Sequence, residues 1–294
     1  MEWKRALSVL LALFVSLPIV ACGDGGSGGG DAANPDTLKV AVLPDEDPSK
    51  LIKDNEKFVA YLEEKIGKKI ELVPMTDYST MVESMRSGRL HLAYFGPLSY
   101  CLCKQKAEIE AFAAKTKKGK AKYRSIIIGN KAAGIATVAD IKGKTMAYGD
   151  PASTSSHLIP KSVLAGDGLT VDKDYKEQFL GAHDAVALNV QSGNAQAGGL
   201  SEPIFESLVE RGVIKLDKVN RVKHSDWFPQ YPWAMQSNLA PELKEKIKTA
   251  FYELKDEEIL KPLKASGFVP IEDKDYDVVR NLATLLGKDL SELG

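Results

Sequence analysis

Residues 144–164 read KTMAYGDPASTSSHLIPKSVL, and the fold turns on how this stretch is parsed. Residues 144–150 form a short apolar run with strand character. Asp150-Pro151 breaks it. Ser153, Thr154, Ser155 and Ser156 then open an apolar segment with helical spacing from Ser155 onward. Hydroxyl side chains at that point cap a helix, whose first N–H groups have no intrahelical partner. The same end of a helix carries partial positive charge, so hydroxyls and N–H groups together make a seat for an oxyanion. A well-capped helix with no ligand would look the same locally. The neighbouring sequence separates the two readings.

Working outward, the strand–loop–helix unit recurs. LKVAVL (38–43) reads as a strand, and 49–66 places Leu51, Ile52, Phe58, Val59, Leu62 and Ile66 at helical spacing. KIELVP follows as a strand, Tyr78 to Arg86 as a helix, LHLAYFG as a buried strand, and then a helix opens at Pro97. Beyond it come YRSIIIG, a capped turn at Thr137–Asp140, EQFLG, a helix over 184–192, AQAGGL and a helix over 202–211. This alternation predicts parallel sheets covered by helices on both faces, with ligands at the carboxyl ends of the strands. The C-terminal part is helical near 241–255, 257–266 and 275–287 and is expected to pack back on the first half.

The N-terminus has a different character. Lys4 and Arg5 precede an apolar run from Ala6 to Ile19, too short for a comfortable membrane span and suited to a cleaved export signal. Ile19-Val20-Ala21-Cys22 resembles a lipobox, which would make Cys22 the lipidated first residue of the mature chain. The Gly/Ser/Asp-rich tract after it reads as a flexible tether. Lys and Arg number 39 against 40 Asp and Glu, so no global field points to nucleic acid. KTKKGKAK (115–122) is a local basic exception, read as a solvated loop. Cys101 and Cys103, two apart, suit neither a disulfide nor a zinc site and read as small buried residues.

Two further junctions share the strand-to-helix position. In Thr76-Asp77-Tyr78 the tyrosine sits in the first helical turn, where its hydroxyl can reach a cleft. In Gly181-Ala182-His183-Asp184 an imidazole opens a helix and can donate to an anion. A Ser/His/Asp hydrolase is disfavoured, because there is no G-x-S-x-G elbow and Asp184 is badly placed to orient the adjacent His183. No Walker A, G-x-G-x-x-G or metal-spaced cluster occurs, so neither a cofactor nor a metal is expected.

DYSTMVESMRSGRLHLAYFGPLSY, IKGKTMAYGDPASTSSHLIPKSVL and FLGAHDAVALNVQSGNAQAGG, in this order, resemble the phosphate/phosphite/phosphonate-binding proteins of ABC importers, the PhnD-like family. That resemblance implies an α/β, two-lobed type II periplasmic-binding-protein fold, each lobe a mixed sheet flanked by helices, with the ligand cleft between them. It implies lobe 1 over about 36–128 plus 232–294 and lobe 2 over about 129–231, after a signal peptide (1–21) and tether (22–35). By motif position it implies ligand contacts from Tyr78, Phe95, Ser153, Thr154, Ser155, His183 and Tyr231. Tyr231 stands where many members carry an acid, Gln196 replaces an expected aspartate, and Glu202 is shifted from the glutamate that serves amino-phosphonates. The implied protein is a monomeric, lipid-anchored, extracytoplasmic solute-binding protein, not an enzyme. It would deliver a small phosphorus oxyanion to a permease, with phosphite or phosphate favoured over an aminoalkylphosphonate. A sensor feeding a membrane kinase and an extracytoplasmic enzyme on the same scaffold are the alternatives.

Overall fold

A computed structural model describes residues 32–287. The expected signal peptide and Cys22 lie outside the described residues. Among the described residues no helix is long and apolar enough to cross a membrane.

The chain begins with β1 (Thr37–Val42), helix Pro48–Ile66, β2 (Lys69–Leu72), helix Tyr78–Arg86, β3 (Leu92–Tyr94), helix Pro97–Lys104 and β4 (Ile109–Lys115). The two-residue β5 (Lys122–Tyr123) leads to β6 (Ser125–Asn130), β7 (Thr145–Tyr148), β8 (Lys176–Phe179), helix His183–Ser192, β9 (Ala197–Ser201), helix Glu202–Glu210 and β10 (Val219–His224). The return runs through β11 (Phe228–Pro229), β12 (Pro232–Gln236), helices Pro241–Glu253 and Glu257–Leu260, β13 (Phe268–Pro270) and helix Asp277–Leu285.

Two mixed sheets result. The first has the order β13-β4-β12-β3-β1-β2 and the second β10-β6-β9-β7-β8. The parallel pairing read from the βα alternation is present where β1 meets β2 and β3, and where β7 meets β8 and β9. The remaining strands of both sheets pair antiparallel, and β12, which carries the returning chain, is inserted between β3 and β4. Each sheet has an apolar cluster on either face. In the first, Phe58 sits among Trp233, Phe251 and Phe268 at ring distances of 5.8, 5.2 and 5.7 Å.

The chain crosses between the sheets twice, side by side. Phe228 and Pro229 pair antiparallel with Tyr123 and Lys122. Next to them the Ser125 N–H donates to Ser225 Oγ at 2.9 Å, and the Ser225 N–H donates to the Ser125 carbonyl at 3.0 Å. Since β6 joins the second sheet from Ser125 onward, the first crossing lies at 123–125, ahead of the 128–129 position expected from sequence. The second lies at 225–228, ahead of 231–232.

Strand β9 sets the spacing of the second lobe through its Gly198-Gly199 pair. A Cβ on Gly199 would stand 2.4 Å from Pro160 Cγ, and one on Gly198 would stand 2.6 Å from Val186 Cγ1. The first contact belongs to the helix that follows the STS loop, the second to the helix opened by His183. Both helices therefore lie closer to β9 than any residue with a side chain permits. Gly199→Ala should lower stability in urea unfolding by about 1–3 kcal/mol through overpacking. Gly166→Ala, with open space around its Cβ, should be neutral or stabilising. Equal stability of Gly199→Ala and the parent would refute this account of the spacing.

Candidate functional site

The STS loop does not enter an ordinary helix. Thr154–Leu158 forms a π-helical turn, in which the Leu158 N–H reaches the Ser153 carbonyl at 3.1 Å, before α-helix Ile159–Gly166 begins. Pro160 explains the change. It has no N–H for the Ser156 carbonyl four residues back, and that carbonyl instead accepts from the Gly149 N–H at 3.1 Å. The wider turn sends four successive hydroxyls in different directions. Ser153 Oγ caps the Ser156 N–H at 3.1 Å and lies 3.4 Å from His183 Nε2. Thr154 Oγ1 accepts from the Leu98 N–H at 2.7 Å. Ser155 Oγ meets the Tyr231 hydroxyl at 3.1 Å, and Ser156 Oγ donates to the Gly199 carbonyl.

Several of these bonds join the lobes, and their logic is capping across the cleft. Neither Gly96 nor Ala182 offers a capping side chain to the helix it precedes. The first helix receives Thr154 of the other lobe at its Leu98 N–H. The second receives the Asp45 carbonyl, which accepts from the His183 N–H at 2.9 Å. In the same manner Asp150 Oδ2 accepts from the Tyr78 N–H at 3.4 Å, and Asp184 Oδ2 accepts from the Asp47 N–H at 3.1 Å. The positive ends of helices Tyr78–Arg86, Pro97–Lys104 and His183–Ser192 and the π-turn thus meet at one place.

Tyr78, Ser153, Thr154, Ser155, His183 and Tyr231 are brought together there, all buried. Phe95 stands apart. Its ring is buried against Tyr100, with centroids 6.5 Å apart, because side chains alternate in direction along the strand end and Tyr94 takes the inner position. Sequence reasoning missed Tyr94 and Tyr123, whose rings contact Tyr231 at 5.5 and 5.0 Å. It also missed Asp45, which follows the carboxyl end of β1, the position where the alternation rule places ligands. The Tyr78 hydroxyl faces Ser153, and that of Tyr123 faces Thr154 and Ser155. Neither of these hydroxyls, nor that of Tyr94, has a hydrogen-bond partner of proper geometry, although all three are buried.

The donors are neutral. Burial, and then nearby Asp45, holds the Tyr78 and Tyr94 hydroxyls well above the ordinary tyrosine range. Burial pushes His183 down to about 3. Its Nδ1 accepts from the Ser201 N–H at 3.0 Å, so the neutral ring carries its proton on Nε2 and presents it toward Ser153. Beside this cluster opens a cavity of about 410 Å³, with Asp45, Tyr94, Lys115, Tyr123, Tyr231 and Lys264 in its wall.

The two remaining positions noted in the sequence serve the scaffold. Gln196 lies at the far end of β9, bonding the Thr145 N–H and the Gly193 carbonyl. Glu202 accepts two hydrogen bonds of 2.6 Å from Arg124, whose guanidinium stacks on Trp227 at 4.9 Å.

A family model described as "ABC transporter, phosphonate, periplasmic substrate-binding protein" matches residues 40–276. The chain belongs to that family. As a member it is the extracytoplasmic solute-binding component of an ABC transporter rather than an enzyme. It is 28% identical over 280 residues to the phosphate-import protein PhnD of Mycolicibacterium smegmatis, covering 87% of each chain. It is 25% identical over 273 residues to the probable ABC transporter phosphite binding protein PhnD1 of Prochlorococcus marinus, covering 87% of this chain and 92% of the relative. The structure of PhnD1 from Prochlorococcus marinus in complex with methylphosphonate superposes with a TM-score of 0.80 at 22% identity, over 87% of this chain and 100% of that one. The fold of this family member is therefore the two-lobed one of the type II periplasmic binding proteins.

Two outcomes follow for the ligand-free protein. Tyr78→Phe and Tyr123→Phe each remove a buried hydroxyl without a partner, a group that costs about 1–3 kcal/mol. Both variants should be as stable as the parent or more so in urea unfolding, and a loss above about 1 kcal/mol would show that the hydroxyl has a partner. His183 is held neutral with its pKa near 3 against 6.5 unfolded, so the unfolded state binds the extra proton. Its burial therefore favours folding fully above pH 6.5 and progressively less as pH falls toward 3. Between pH 7 and 5 the parent should lose about 2 kcal/mol more than His183→Gln. Parallel pH profiles for the two proteins would contradict this.

Proposed function

We propose that this protein captures a small phosphorus oxyanion between its lobes and presents it to the transporter's permease. The observation that carries the reading is the trio of buried hydroxyls without partners, on Tyr78, Tyr94 and Tyr123, of which those of Tyr78 and Tyr123 face the Ser153–Ser155 clasp. Buried polar groups are nearly always satisfied, and a tetrahedral oxyanion supplies acceptors to several donors at once. In this reading Ser153, Ser155, Tyr78, Tyr94, Tyr123 and His183 donate to its oxygens. Thr154 holds the Pro97–Lys104 helix in place, and Tyr231 orients Ser155. Phe95, packed against Tyr100, makes no ligand contact.

The names of the relatives favour the same ligand class, since they include a phosphate importer, a phosphite binder and a methylphosphonate complex. Within that class we favour phosphate, phosphite or a small neutral-tailed phosphonate over an aminoalkylphosphonate. Tyr231 offers no charge to an amine, and the Glu202 carboxylate is already committed to Arg124. The ligand completes contacts from both lobes, so it favours the closed form. The lipobox-like segment supports anchoring at Cys22, with the chain acting as a tethered monomer outside the cytoplasm.

Thermal-shift and calorimetric titration of the purified protein test the reading. Phosphate, phosphite and methylphosphonate should raise the melting temperature, and 2-aminoethylphosphonate should bind more weakly. Ser153→Ala and Tyr78→Phe should each lose roughly tenfold to a hundredfold in affinity, the range for a hydrogen bond to a charged group. Unchanged affinity in both variants would discard the site.

A further inference from the structure

The cavity beside the clasp is larger than a lone tetrahedral oxyanion requires. Its volume of about 410 Å³ lies in the range of about 300–1,000 Å³ that receives whole organic molecules. Tyr231, whose hydroxyl meets Ser155 of the clasp, also stands in the cavity wall, so the two spaces share a boundary. Part of that wall comes from the second lobe and the crossing. Ser201 occupies the N-cap of helix Glu202–Glu210, yet its hydroxyl does not cap that helix. The residue is 3% exposed, and its hydroxyl makes no hydrogen bond among the described residues. Gln230 is 5% exposed and accepts from the Tyr231 N–H through its side-chain oxygen at 3.0 Å, which leaves its amide NH2 without a partner among the described residues. Both residues line the cavity. Buried donors of this kind call for an acceptor, and the positive end of a nine-residue helix stands at Ser201.

The first lobe adds the basic stretch noted in the sequence. Between β4 and β5, Lys117 and Lys120 exchange backbone hydrogen bonds of 3.0 and 3.1 Å across Lys118 and Gly119. Both central residues have positive φ, as a tight hairpin turn requires. Lys117, Lys118, Lys120 and Lys122 all line the cavity, and none makes an ion pair among the described residues. Lys115, at the end of β4, lies 4.9 Å over the Tyr94 ring and bonds the Leu263 carbonyl at 3.3 Å, with no carboxylate of its own. The acids of the wall are placed differently. Glu46 pairs with Lys264 and Lys50, Asp54 with Lys50, Glu202 with Arg124 and Glu206 with Arg221. The fifth, Asp45, has its carboxyl raised to about 7, chiefly by burial. The wall therefore carries a surplus of uncompensated positive charge beside two buried neutral donors.

We propose that this cavity is a second anion subsite, which receives the far end of an organic phosphonate or phosphate ester whose tail carries a further negative group. The proposal rests on the oxyanion-binding reading above and extends its ligand class. The clasp holds the phosphorus head, and Ser201, Gln230 and the lysine hairpin hold the anionic tail. A tail ending in an amine meets the lysines with like charge. A purely aliphatic tail fills the space but leaves the two buried donors unmatched, at the cost that attends an unsatisfied polar group.

The test is calorimetric titration of the purified protein with methylphosphonate, propylphosphonate and 3-phosphonopropionate. The last two have tails of similar size and differ in the terminal carboxylate. In the parent, 3-phosphonopropionate should bind about tenfold more tightly than propylphosphonate, the range for hydrogen bonds to a charged group. That ratio should shrink between about 50 mM and about 500 mM salt, because the hairpin lysines are exposed and screened. The triple variant Lys117→Gln, Lys120→Gln, Lys122→Gln should bring the ratio toward one and leave methylphosphonate affinity as it is. Ser201→Ala keeps the N–H that serves His183 and should lower the ratio as well. Ligand-free melting confirms that each variant folds. A parent ratio near one, or a ratio that either folded variant leaves intact, overturns the subsite. A parent that binds no phosphorus oxyanion at all overturns the clasp reading instead, a result distinguishable from the others.

Discussion

The N–H groups at the start of a helix have no partner within that helix, and this molecule answers that constraint between lobes. Thr154 and Asp150 of one lobe serve the helices that begin at Pro97 and Tyr78 of the other, and the Asp45 carbonyl serves the His183 helix in return. Each such bond is worth only about 0.5–1.5 kcal/mol against water. Separation of the lobes hands the same groups to solvent at small net cost. Closure built from such exchanges stays near balance, which is the condition under which a small ligand can decide it.

The same geometry explains how an anion can be held without a direct ion pair. The proposed donors are neutral hydroxyls, a neutral imidazole and helix ends, and burial keeps their protons in place through the physiological range. Of the nearby charges, Glu46 engages Lys264 and Lys50, and Asp150 is taken up by the Tyr78 and Ala152 N–H groups. Fixed dipoles in a water-excluded site interact strongly with charge and need no reorganisation when it arrives. Direction then matters more than charge. A site of this kind favours an oxyanion whose oxygens lie where its donors point.

How much of this was legible in the sequence depends on the range of the signal. Ser153 to Ser155, Tyr78 and His183 could be found because capping is local: a hydroxyl or imidazole after a strand break predicts its own surroundings. The family resemblance implied two lobes with mixed sheets, whereas the βα alternation by itself pointed only to the parallel pairs. β12 reaches its place only when the returning chain inserts between β3 and β4, a pairing separated by more than a hundred residues in sequence. Tyr123 and Tyr94 enter the site through that crossing and that sheet order. The Phe95 ring turns away toward Tyr100 while Tyr94 packs against Tyr231, since a shift of one along a strand reverses the face. The π-turn was written in Pro160, whose missing N–H frees a carbonyl four residues back.

The Gly198-Gly199 pair has a consequence for how such a binder can change. With both site-bearing helices packed onto one strand through Pro160 and Val186, the distance between the hydroxyl clasp and the imidazole is set where two glycines leave no room for a side chain on the strand. Asp45 and Tyr231, also buried, are held on the other lobe or at the crossing and are free of that contact. The molecule thus separates a gauge of fixed width from an interchangeable jaw. A new preference among oxyanions can be acquired at the jaw by single replacements, without recalibrating the gauge.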